Sequence, residues 1–188
     1  MRAAETYSLA QFVADLESIT SRENAPAAIT AAVAPLLGRL VQNPSAIPAP
    51  FRGRGPDGGR GRFMLHRAPR FNVTAVTWRP GDRAAAHNHD TWGVIGVVDN
   101  EIEETRYRVA EVSGGGAALT VWSVTRHGPG AISLLVPPDD EVHAMYNPTG
   151  RDTVEIHVYG RDLYGLPRKT WAADGRVSPL VSPKYLNC

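Results

Sequence analysis

The chain has 188 residues, 43% of them hydrophobic and 21% charged, with a formal net charge of +1. That length suits one domain with a proper core, and the near-neutral balance gives no whole-protein attraction to nucleic acid or acidic membranes. A single cysteine, Cys188, excludes an intramolecular disulfide framework, and no apolar run approaches the ~18–20 residues of a membrane span. Met1 leads directly into short and polar residues, so no signal peptide is expected and the reading is a cytoplasmic protein.

Residues 1–45 read as an N-terminal helical cap. Ser8 and Gln11 have capping-box spacing, and Leu9, Phe12, Val13, Leu16 and Ile19 follow as one apolar stripe. Asn24 and Pro26 suggest a second start, after which Ile29, Val33, Leu36, Leu37 and Leu40 recur at helical intervals. Pro35 falls inside that pattern and is expected to kink or split the helix. Residues 44–61 are rich in Pro, Gly and Arg and read as a mobile surface loop near a pocket mouth. Their arginine–glycine character is too short, and too poor in aromatics, for a nucleic-acid segment.

Residues 46–188 read as one β domain. The stretches 71–78, 94–98, 101–109, 117–125, 131–136 and 153–159 are short strands by alternation or apolar run. Turn clusters at 114–116, 137–140 and 148–150 separate them. Many short strands without alternating helices predict a mainly β fold, a small antiparallel barrel or jelly roll. A barrel of that size lines its interior with alternate side chains.

Against that background His87 and His89 stand out. Two apart on an extended segment, they aim at one point, and His143 on a later strand can close a metal site. Imidazole suits iron, zinc, copper or nickel, so the ligands alone do not choose the metal. Asp90 has the wrong parity to join them. His66 and His127 read as ordinary core or surface residues, and Trp92 as either a mouth or a core residue.

Gly81-x5-His87-x-His89, with Pro138 to Asn147 around His143, resembles the two motifs of the cupin superfamily, Asp140 replacing a motif glycine. Where that superfamily places a glutamate ligand, this chain has Gly93 and Val94. Such a carboxylate-free site is similar to that of the thiol dioxygenases typified by cysteine dioxygenase. The run from Trp78 to Val97, and Ile156-His157-Val158-Tyr159, resemble the bacterial members, including 3-mercaptopropionate dioxygenases. The resemblance covers roughly residues 60–165.

It implies a cupin with N-terminal helices that holds Fe(II) through His87, His89 and His143 and oxidises a small carboxylate-bearing thiol with O2 to its sulfinic acid. It also implies catalytic roles for Tyr159 and His157 and a substrate-anchoring role for Arg62, with Arg60 as rival. Mercaptopropionate enzymes have glutamine at that anchor position. Glu155 stands where the family carries the serine of a Ser-His-Tyr relay. Gly93 occupies the place of the cysteine that crosslinks to the tyrosine in mammalian cysteine dioxygenase, so no Cys–Tyr crosslink is expected. Two other readings stay open: a cupin dioxygenase or isomerase acting on a non-thiol acid, and a cupin that binds a metal or small molecule without turnover. The expected partner is a small molecule, with no nucleic acid or membrane.

Overall fold

A computed structural model describes residues 6–112 and 116–188. The polar start at residues 1–5 and most of the 114–116 turn therefore lie outside the described residues. Helices α1 (Leu9–Arg22) and α2 (Pro26–Val41) precede eleven strands. These are β1 (Gly61–Arg67), β2 (Asn72–Trp78), β3 (Arg83–His87), β4 (Gly93–Asp99), β5 (Ile102–Val112), β6 (Gly116–His127), β7 (Ile132–Leu135), β8 (His143–Tyr146), β9 (Thr153–Tyr159), β10 (Arg168–Trp171) and β11 (Val177–Leu180).

They form two antiparallel sheets, ordered β1-β2-β9-β4-β7 and β11-β10-β3-β8-β5-β6. This is the mainly β, antiparallel architecture that the strand pattern predicts, with the N-terminal helices in place. No helix among the described residues is long and apolar enough to cross a membrane.

The five-stranded sheet is buried on both faces, and its alternation decides what each face does. Val73, Ala75, Val94, Val98, Val154, Ile156 and Val158 face the helices and join Phe12, Leu16, Ile29, Val33, Leu37 and Leu40 in one core. Each fully buried aliphatic or aromatic side chain there contributes about 1.5–3 kcal/mol. The opposite parity, Thr74, Val76, Trp78, His157 and Tyr159, lines a cavity. Gly96 lets α2 approach, since a Cβ there would stand 2.9–3.0 Å from Val41, Leu37 and Ile132 side chains.

The capping box at Ser8 and Gln11 forms as expected. Pro35 does not split α2, which runs unbroken over 16 residues. Proline withdraws one backbone hydrogen bond, at a cost of about 3 kcal/mol, but the apolar face buried on the sheet outweighs it. Asn24 is not the cap; Ala25 is, with Pro26 in the first turn. The 44–61 segment contains two 3-10 turns, Pro44–Ala46 and Ala49–Phe51, and is tied down by a two-pronged Arg54–Asp152 pair. Trp92 belongs to the helix-side core and does not line the cavity.

Candidate metal centre and its cavity

The two sequence motifs meet in space. Gly81, with φ +78, donates its N–H to Asn147 O at 3.0 Å, and Asn147 N returns to Asp82 O at 3.0 Å. β3 pairs with β8 so that His87 lies opposite His143. His89 lies beyond the end of β3, yet it turns to the same point. One ligand atom from each of His87, His89 and His143 lies within 4.8 Å of the others.

Each ring is steered from behind. His87 Nδ1 meets Ala85 O at 2.8 Å, His89 Nδ1 meets Glu141 O at 3.3 Å, and His143 Nδ1 meets Glu104 Oε1 at 2.6 Å. With Nδ1 donating in all three, the lone pair resides on Nε2, the form a metal requires. Burial, with repulsion from the neighbouring imidazoles, pushes His87 and His89 well below the ordinary histidine range, which keeps them neutral. Three imidazoles so turned fit a divalent transition metal and can hold one, and no carboxylate joins them in the cluster among the described residues.

Carboxylates stand one layer out. Glu104 is buried and also receives His127 Nε2 at 2.9 Å and the Ser133 hydroxyl at 2.9–3.0 Å. Burial pushes its carboxyl up, but the bonds from His127 and His143 and the charge of Arg106 outweigh this and hold it well below the usual carboxylate range. His127, read from sequence as an ordinary residue, therefore supports the His143–Glu104 pair. Glu141 Oε2 accepts the backbone N–H of His89 and of Asp90, both at 2.8 Å, fixing the irregular turn that follows β3. Asp90 is exposed and lies outside the cluster as expected, turned away by its φ of 51 in that turn rather than by strand parity.

Across the cavity, β9 presents a second network. Trp78 Nε1 donates to Glu155 Oε2 at 2.6 Å, His157 Nε2 meets the same oxygen at 3.1 Å, and His157 Nδ1 meets the Tyr159 hydroxyl at 2.8 Å. Glu155 thus anchors His157 where the resemblance implies a serine. The Tyr159 ring stacks on His89 at 5.3 Å between centroids. Burial raises its phenol well above the ordinary value, so it stays protonated. Gly93 lies against this ring, a Cβ there falling 2.9 Å from Cδ1 and Cε1. Glycine has no sulfur to offer it.

The three histidines, Tyr159 and His157 line one cavity of about 350 Å³. Arg62 lines it too, held by Pro183 O at 2.6 Å, and so does Arg60, stacked 3.8 Å over Trp78. Both sequence-derived anchor candidates therefore reach the cavity. The most buried guanidinium there was not foreseen: Arg168, 7% exposed, with Nη1 on Asn88 O at 3.1 Å and Nη2 on the Ser182 hydroxyl. Its place depends on β10 pairing with β3, Thr170 opposite His87, which no local signal announces. Arg83 completes the set, and no aspartate or glutamate lines the cavity among the described residues.

No protein-family model matches the chain. Solved structures similar to it include a Klebsiella pneumoniae protein with a double-stranded β-helix domain, at 19% identity over 61% of this chain and 82% of that one, TM-score 0.46. A cupin superfamily protein from Desulfitobacterium hafniense has 11% identity over 65% and 91%, TM-score 0.43. A cupin superfamily sugar phosphate isomerase from Silicibacter pomeroyi has 18% identity over 65% and 76%, TM-score 0.43. The fold assignment rests on the strand order and pairing of this chain itself.

Proposed function

We propose that the chain is an iron-dependent thiol dioxygenase that converts a small carboxylate-bearing thiol to its sulfinic acid. The observation that carries this reading is one cavity lined by three histidines, a tyrosine that burial keeps protonated and several arginines, with no lining carboxylate among the described residues. His87, His89 and His143 would hold Fe(II), which supplies a meeting point for thiolate and dioxygen and draws the thiol toward its anionic form.

The chain's own residues do the rest. A guanidinium fork binds the substrate carboxylate and fixes the sulfur relative to the histidines. Arg62 is one such fork, and the buried Arg168 stands beside it as a second. Tyr159 keeps its proton, and its hydroxyl is held against Nδ1 of His157, whose other ring nitrogen is tied to Glu155, so the phenol is fixed in direction at the cavity wall. Trp78, Val76 and Leu163 give the cavity apolar wall and limit water. In the overall change both oxygen atoms join sulfur, which loses four electrons as dioxygen gains four, so no further reductant is required.

An oxygen electrode tests this with iron-loaded protein and a panel of cysteine, 3-mercaptopropionate, cysteamine and mercaptosuccinate. Oxygen uptake that requires both iron and an acid thiol is expected; none with any thiol would sink the assignment. Glu155 in the relay favours a second reading, dioxygenation or isomerisation of an acid without a thiol, and product mass spectrometry separates the two.

A further inference from the structure

The two helices cover the five-stranded sheet, and no helix crosses the outer face of the six-stranded one among the described residues. Register decides what that face shows. His143 and Met145 of β8 line the metal cavity, so Ala144 and Tyr146 point outward, with Thr105 and Glu103 of β5 opposite them. The same parity along β5 and β6 brings out Tyr107, Val109, Leu119, Val121 and Val124. A solvated sheet face reads polar. This one is largely apolar, with Val109 38%, Val121 56% and Val124 58% exposed. Beside them lies a groove of about 510 Å³ lined by Tyr107, Leu119 and Ala144, where Trp171 is buried with its Nε1 lacking an acceptor among the described residues.

The face, and not the edge, is the docking surface. β6 ends the sheet, but Trp122 bulges between the pairs Tyr107–Val121 and Arg106–Ser123 and turns onto the Arg108 guanidinium at 4.4 Å. A bulge twists the edge and interrupts the free backbone groups that a further strand would need.

Size and charge select the occupant. β5 is about 35 Å long, and β3, β8, β5 and β6 together make the face ~15–20 Å wide. That gives roughly 600 Å², at the lower end of what each partner contributes to a stable pair. Arg83 and Glu103 flank Tyr146 in one cross-strand row, the Arg83 guanidinium 3.5 Å over the Tyr146 ring. Among the described residues Arg83 pairs with no carboxylate, and Glu103 meets only the exposed Arg126, at 3.4 Å. A two-fold axis along β8 carries each end of this row onto the other, so the surface complements itself.

We propose that this face docks a second copy of the chain, giving a two-fold dimer in which Arg83 of each copy meets Glu103 of the other. The inference is independent of the chemistry inside the barrel.

Sedimentation velocity on the full chain, from about 1 to 100 µM, tests it. A species of twice the 20.3 kDa chain mass is expected to dominate at the upper end. Val121→Glu, at an exposed position outside the barrel core, raises the dissociation constant about tenfold or more. Arg83→Glu and Glu103→Arg each weaken self-association about tenfold. An equimolar mixture of those two variants associates as tightly as the wild type, because every pair across the axis is again of opposite sign. A monomer at every concentration, a dimer indifferent to Val121→Glu, or charge variants that fail to associate on mixing would overturn the inference.

Discussion

Glu104 is the residue on which the proposed metal centre leans most. It fixes His143 through a 2.6 Å contact, and His127, Ser133 and Arg106 surround it. Replacing it with glutamine keeps the shape but removes the charge that favours an Nδ1–H donor. Metal affinity of Glu104→Gln is expected to fall about 10–100-fold, read by titration of the apo-protein with a divalent metal. The same change alters acid stability. The Glu104 carboxyl is held below its unfolded value, so its contribution is full above about 4.5 and is lost as pH falls through the depressed folded value. Stability of the metal-free wild type therefore drops more steeply below about pH 4.5 than that of Glu104→Gln. Nothing in the spacing of Glu104 marks it, because its partners come from three other strands. The histidine pair was legible because two residues apart is a local relation.

At the scale of elements, the contact of α2 with β4 and β7 positions the sheet that carries Tyr159. Leu37 is fully buried there, and Leu37→Ala is expected to cost about 2–5 kcal/mol in denaturant unfolding while leaving the histidine cluster assembled. The long strands were readable: β2 and β9 alternate over seven residues, with one parity on the helices and the other in the cavity. The short ones were not. β8, β10 and β11 have four residues each, too few for a readable alternation, and the pairing of β8 and β10 with β3 joins segments far apart in sequence. The end of the chain shows the same limit. Leu186 N donates to Arg62 O at 2.9 Å, Asn187 bonds both backbone groups of Met64, and Ser182 and Pro183 hold Arg168 and Arg62. Truncation after Leu180 is expected to raise the KM of an acid thiol about tenfold or more with a smaller effect on kcat, since it removes what positions the proposed anchors.

For the whole molecule, a net charge of +1 conceals a cavity lined by Arg60, Arg62, Arg83 and Arg168 with no lining acid among the described residues. Bulk composition averages over the surface, where Arg54, Arg67, Arg126 and Arg151 pair with carboxylates. The sequence therefore exposes the candidate histidine cluster and the His157–Tyr159 strand, while the arginines that line the cavity come together only once two sheets and the C-terminal segment close on each other. The central claim is that this cavity transfers both atoms of dioxygen to the sulfur of an acid thiol. Mass spectrometry of the product formed by iron-loaded protein under isotopically labelled dioxygen tests it most directly. The account predicts a sulfinate carrying two labelled oxygen atoms; an oxidised product without label at sulfur, or a disulfide alone, would contradict it.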